Sequence, residues 1–139
     1  MERRDFIQKS IILTCGIAGV SAFLEACQKS NTTPTAPSAN FTIDISSSQY
    51  SALQKNGGSV YYSASNIIIA RDNAGNFIAL YDVCPHAGCA VQFDGASKFP
   101  CPCHGSLFDE NGNVLQGPAT SGLKKYSTSL SGTQLHVSG

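Results

Sequence analysis

Two short segments restrict this chain more than anything else in it: Cys84-Pro85-His86-Ala87-Gly88-Cys89 and Cys101-Pro102-Cys103-His104-Gly105-Ser106. Between them they hold four of the six cysteines and two of the three histidines. Proline lacks an N–H and has a fixed φ, so neither segment suits a helix interior or a central strand. Both must be loops, held by something other than a hydrogen-bond ladder. Each offers one thiol and one imidazole to a single metal centre, and each carries one further cysteine. Two Cys and two His donors with two cysteines left over suggest a metal site accompanied by a disulfide. A zinc site with two Cys and two His ligands fits the composition but leaves the extra cysteines and the Cys-x-His order unexplained. A scaffold of disulfides alone leaves the imidazoles without a role.

The chain around these loops reads as strands. Runs of strand length recur at Phe41 to Ile45, Val60 to Tyr62, Ile67 to Arg71, Phe77 to Val83, Val114 to Gln116, Leu123 to Tyr126 and Gln134 to Val137. Turn signals separate them: Asn56-Gly57-Gly58, Asp72-Asn73-Ala74-Gly75, Asp94-Gly95 and Asn111-Gly112. The pattern predicts an all-β fold, an antiparallel sandwich or barrel over residues 41–139, with a small subdomain built from the two Cys/His loops within 82–119. His136 alternates with Gln134 in the last run and reads as solvated. A length of 139 residues leaves room for one such domain. Nine basic residues balance nine acidic ones, so there is no surplus to neutralise phosphates, and nucleic acid is not an expected partner.

Residues 1–26 read as an export signal. Arg3 and Arg4 precede Phe6 and Ile7, and the stretch from Ile11 to Leu24 has no charged residue. Paired arginines followed by an aromatic resemble the twin-arginine signal, whose route accepts folded cargo, as export of a protein already loaded with its metal requires. Leu24-Glu25-Ala26-Cys27 resembles a bacterial lipobox, making Cys27 the expected lipid anchor. The 14 uncharged residues fall short of the roughly 20 needed to cross a bilayer, which favours cleavage over a retained helix. Cys15 is then a small hydrophobe that leaves with the signal. Residues 27–40 contain no aliphatic side chain larger than alanine and are expected to form a flexible tether. At about 3.1 Å per residue such a tether reaches roughly 40 Å. The expected location is exported, membrane-anchored on the periplasmic or extracytoplasmic side.

The two boxes, Cys-x-His-x-x-Cys and Cys-x-Cys-His-Gly-Ser, resemble those of the Rieske proteins, specifically the disulfide-containing, membrane-associated branch. The resemblance covers nearly all of residues 41–139 and is strongest over 82–119. It implies one [2Fe-2S] cluster per chain, with Cys84 and Cys101 on one iron, His86 and His104 on the other, and a Cys89–Cys103 disulfide locking the loops. Closing a loop of that length is worth roughly 3 kcal/mol in the chain-entropy view. Gly117-Pro118-Ala119 looks like the family's proline-containing loop over the cluster. Ser106 is expected to donate its hydroxyl to a bridging sulfide. The tyrosine that high-potential members carry two residues later is Phe108 here, Ala87 replaces a common leucine and Pro85 a common threonine. One hydrogen bond to sulfur is thereby lost, which implies a lower potential.

Two neutral imidazoles in place of two thiolates remove two negative charges, so such a site accepts an electron more readily than one held by cysteines alone, in the range of roughly −150 to +300 mV. Histidine ligands can also couple electron uptake to proton uptake. The function implied is single-electron transfer by an exported, lipid-anchored carrier serving a membrane or periplasmic oxidoreductase. The alternatives are the Rieske subunit of a quinol-oxidising cytochrome bc-type complex and a metal-stabilised binding module with no redox role. A redox partner is expected, whether a cytochrome, a quinol-oxidising complex or an exported oxidoreductase. The chain is a component of an oxidoreductase on this reading rather than an enzyme by itself.

Overall fold

The computed structural model describes residues 35–139; the expected signal, Cys27 and the tether up to residue 34 lie outside the described residues. Among the described residues the elements are β1 (Asn40–Asp44), a 3-10 segment (Ser48–Gln54), β2 (Ser59–Tyr62), β3 (Ile67–Arg71), β4 (Phe77–Tyr81), β5 (Phe99–Pro100), β6 (Leu107–Phe108), β7 (Val114–Gln116), β8 (Lys125–Ser131) and β9 (Gln134–Ser138). All pairings are antiparallel. Six strands form one sheet in the order β1-β9-β8-β4-β3-β2, and the remaining three form a small sheet, β5-β6-β7. The all-β expectation holds.

The sequence of β3 and β4 explains how the two sheets share one molecule. Ile67-Ile68-Ile69-Ala70 and Ile78-Ala79-Leu80-Tyr81 do not alternate with polar residues, and all eight side chains are buried. Antiparallel strands solvated on one face alternate, so a continuous apolar run marks burial on both faces. Ile67, Ile69, Ala79 and Tyr81 join Ile43, Leu53, Tyr126, Leu135 and Val137 in a first core. Ile68, Ala70, Ile78 and Leu80 join Cys84, Val91, Phe99, Cys101, Phe108, Ala119 and Leu123 in a second. The β3–β4 hairpin is the wall between them, and the loops that carry the cysteines are built on its far side.

One turn design serves twice. In Asp72–Asn76 the Asp72 carboxylate accepts the Asn76 backbone N–H at 2.8 Å and its side-chain amide at 3.0 Å, and Gly75 takes φ +93°. Asp109–Asn113 repeats this with distances of 2.9 and 3.0 Å and Gly112 at φ +83°. Glycine adopts positive φ without the steric cost of a Cβ. At Gly112 space is short as well, since a Cβ would lie 2.1 Å from the Leu123 carbonyl oxygen.

Three features differ from the sequence reading. β8 runs over Lys125–Ser131 rather than 123–126, because its outer half, Ser127–Ser131, pairs with β9 while exposing mostly serine and threonine, which give no apolar signal. Leu123 instead packs into the second core. The two-residue strands β5 and β6 lie within the loop region, too short for any periodicity. Finally, the expected tether does not run free to residue 40. Asn40 is already in β1, Ala39 exchanges backbone hydrogen bonds with Gly139 at 2.6 and 2.9 Å, and the Pro37 carbonyl accepts from Tyr126 Oη at 2.7 Å and Lys124 Nζ at 3.2 Å. Small side chains bury little apolar surface, but backbone pairing needs no large side chain.

Candidate metal centre

The two Cys/His segments fold as two copies of one loop. In the first, the Cys84 N–H donates to the Cys89 carbonyl at 2.8 Å and the Gly88 N–H to the Cys84 carbonyl at 2.9 Å. In the second, the Cys101 N–H donates to the Ser106 carbonyl at 2.7 Å and the Gly105 N–H to the Cys101 carbonyl at 3.1 Å. The fifth residue of each is a glycine with positive φ, +71° at Gly88 and +79° at Gly105, and a Cβ at either would meet nothing. Backbone conformation alone therefore calls for glycine at both places.

This geometry separates the donors by type. The thiols of Cys84 and Cys101 are free and buried, 1% and 2% exposed, in the same core as Ile68, Leu80, Phe99 and Phe108. His86 and His104 are exposed, and their rings meet edge to face with centroids 4.8 Å apart and planes at 81°. Cys89 and Cys103 are joined by a disulfide, with Cα atoms 6.4 Å apart, so the loops are covalently linked. Among the described residues no three Cys, His, Asp or Glu side chains close on one point as a single-ion site would require. A tetrahedral zinc site needs four donors around one ion. A buried thiol pair and an exposed imidazole pair suit a two-metal centre with unlike ends.

The third loop adds the remaining expected residues. Gly117 and Pro118, joined by a cis peptide bond, are exposed, while Ala119 is buried. The Ala119 N–H donates to Ser106 Oγ at 3.0 Å, and Gln116 Nε2 donates to the Gly105 carbonyl at 3.2 Å. Ser106 is wholly buried, and among the described residues no protein group accepts its O–H. A buried donor left unsatisfied costs about 1–3 kcal/mol. An acceptor that is not polypeptide, such as an inorganic sulfide, would remove that cost, so the donor set fits an iron–sulfur cluster. Phe108 is wholly buried and its backbone pairs with Phe99.

Two contributors were not singled out from the sequence. Tyr61 Oη, from β2, donates to the Val91 carbonyl at 2.8 Å and so ties the large sheet to the stretch after Cys89. Burial, then the nearby Asp82 charge, holds the Tyr61 phenol above its usual pKa, and burial pushes the Asp82 carboxyl up. Gln116 is the other. A tyrosine or glutamine at a strand position carries no sequence signal of the loop that it will meet.

The fold and the site together define an all-β module in which two disulfide-linked Cys/His loops sit on a β hairpin and offer a buried thiol pair and an exposed imidazole pair to a metal centre. The family model of the Rieske [2Fe-2S] domain matches residues 42–127, and the chain belongs to that family. Membership brings with it a [2Fe-2S] cluster as the cofactor and electron transfer as the activity. The chain is similar to the cytochrome b6-f complex iron-sulfur subunit of Chlorobaculum tepidum, 26% identical over 138 residues, which are 99% of this chain and 75% of that protein. To the subunit of the same name from Prochlorococcus marinus strain MIT 9515 it is 48% identical over 58 residues, 41% of this chain and 32% of that one, so this match spans about a third of the relative. Among solved structures, the plasma membrane Rieske protein of Synechocystis PCC 6803 is similar with a TM-score of 0.54 at 33% identity, covering 66% of this chain and 95% of that one. A ferredoxin of carbazole 1,9a-dioxygenase from Nocardioides aromaticivorans, at 23% identity and a TM-score of 0.54, covers 60% of this chain and 86% of its own and shares the fold.

Proposed function

We propose that Cys84 and Cys101 hold one iron of the cluster and His86 and His104 the other, and that the chain works as an exported, lipid-anchored single-electron carrier for a membrane or periplasmic oxidoreductase. The observation that carries this reading is the separation of the donors, with two free thiols buried in one core and two exposed imidazoles in contact with each other. The bound cluster supplies a one-electron couple. The chain supplies the rest: the core around Cys84 and Cys101 excludes water from the thiolate end, the disulfide fixes one loop against the other, and His86 and His104 present ring edges where a partner can approach.

The anchor and the export signal rest on Arg3, Arg4 and the Leu24-Glu25-Ala26-Cys27 sequence. Among the described residues no helix is long and apolar enough to cross a membrane. A second reading, the Rieske subunit of a quinol-oxidising cytochrome bc-type complex, is favoured by the similarity over 99% of the chain to a cytochrome b6-f iron-sulfur subunit. Phe108, where high-potential relatives carry tyrosine, supports the carrier.

Iron and acid-labile sulfide in the purified protein, with the electron paramagnetic resonance spectrum of its reduced form, test the cluster. Expression of the full chain as Cys27→Ser tests the anchor: the red-brown protein should move from the membrane fraction to the soluble one, because several acyl chains on one residue give stable anchoring. Retention on membranes after a high-salt wash would refute the lipobox. Co-purification of the wild-type chain in stoichiometric amounts with a cytochrome b would decide for the second reading.

A further inference from the structure

Ser106 Oγ accepts the Ala119 N–H at 3.0 Å inside a wholly buried site. A hydroxyl has one donor and two lone pairs. The Ala119 contact takes a lone pair and leaves the O–H to point elsewhere, and among the described residues no protein group receives it. The donor is held firmly: Ala119 is itself buried in the second core, Gln116 pairs with Leu107 in the strand register, and Gln116 Nε2 reaches the Gly105 carbonyl.

We propose that the Ala119 backbone N–H is a positioning group for electron transfer: by holding the Ser106 oxygen it aims the Ser106 O–H at the cluster sulfide and strengthens that donation. The proline-containing loop then acts on the reduction potential through Ser106. The inference rests on the cluster reading above. Two physical effects act in the same direction. An oxygen that accepts a hydrogen bond is a better donor, because hydrogen bonds in a chain polarise one another. A hydroxyl fixed by its oxygen also loses no orientation when the electron arrives, and a donor aimed at sulfur stabilises the reduced, more negative state. One electron is gained, no bond in the chain breaks, and the hydrogen stays on Ser106 Oγ.

The test replaces the Ala119 residue by its α-hydroxy analogue, lactic acid, so that an ester oxygen stands in place of the amide N–H and the donor to Ser106 is removed. Protein-film voltammetry on the loaded protein should show the electron held about tenfold less tightly, a fall of about 59 mV for a one-electron couple. In a Ser106→Ala background the same ester should produce no further fall, and Ala119→Gly, which keeps the N–H, should leave the potential near that of the parent. Equal potentials for ester and amide, or an equal fall in the Ser106→Ala background, would overturn the proposal. Iron and sulfide are measured in every form. If the parent binds neither, the cluster reading itself fails and this inference with it, whereas loaded proteins of equal potential sink the inference alone.

Discussion

The rings of His86 and His104 touch edge to face at 4.8 Å, although they belong to loops whose histidines occupy different places, third in Cys84–Cys89 and fourth in Cys101–Ser106. Equivalent loops with equivalent histidines would not need that offset. Here the disulfide explains it: the position that would match His86 is Cys103, which is bonded to Cys89 of the other loop. One loop spends its third residue on the bridge and its fourth on the imidazole.

Removing that bridge should loosen both loops at once. The double variant Cys89→Ala, Cys103→Ala is expected to lose roughly 3 kcal/mol against unfolding, from the entropy of a cross-link between residues 14 apart in sequence. Thermal unfolding with iron analysis checks this. An unchanged midpoint together with full iron content would show that the cores alone position the loops.

Phe108→Tyr should raise the reduction potential by several tens of millivolts without changing iron content. Phe108 is wholly buried in the core that holds Cys84 and Cys101, so the new hydroxyl needs a partner there, and under the ligand assignment proposed above a sulfur of that pair is the acceptor the core offers. One hydrogen bond to a charged group is worth at most roughly 1.5–3 kcal/mol, and tenfold tighter electron binding corresponds to about 59 mV. Voltammetry of both forms at one pH decides it. A lower potential, or lost iron, would place Phe108 away from the sulfur.

Two glycines of similar φ should respond differently to alanine. Gly88→Ala pays only the left-handed backbone term of about 1–2 kcal/mol, since its Cβ meets nothing. Gly112→Ala pays that and a collision with the Leu123 carbonyl oxygen 2.1 Å away, and should be the more destabilised of the two in urea unfolding. Equal losses would mean that the Asp109–Asn113 turn shifts to make room.

Acid should weaken the β3–β4 hairpin. The Asn76 side-chain amide, opposed by some desolvation and aided by backbone N–H groups, holds the Asp72 carboxyl below its usual pKa. A folded-state pKa below the unfolded one means that the unfolded chain binds the proton more readily, so the stabilisation is complete above the usual aspartate value and is lost as pH falls through the folded one. Against Asp72→Asn, the wild-type advantage in urea unfolding should shrink over that acidic interval and stay constant at neutral pH. A difference independent of pH would remove Asp72 charge from the account.

Much of the site was legible because its chemistry is local. The order Cys-x-His-x-x-Cys and Cys-x-Cys-His-Gly-Ser sets which donors each loop can offer, the prolines keep both segments out of regular structure, and the glycines at 88 and 105 permit the turn that each loop makes. The strands expected at 67–71 and 77–83 were legible for the same reason, since short apolar runs between turn residues have few alternatives, although β4 itself ends at Tyr81. Ser127–Ser131 was not, because a strand that exposes serine and threonine draws its order from the β9 partner rather than from burial.

The sequence by itself therefore determined the all-β class, the turns and the set of candidate donors, all of which depend on residues close together along the chain. Only the tertiary structure decided that β3 and β4 are buried on both faces, that Cys84 and Cys101 lie inside while His86 and His104 lie outside, and that Ala119 holds Ser106. Those relationships join residues distant in sequence, and their free energy comes from packing two cores against one hairpin, which no local pattern records.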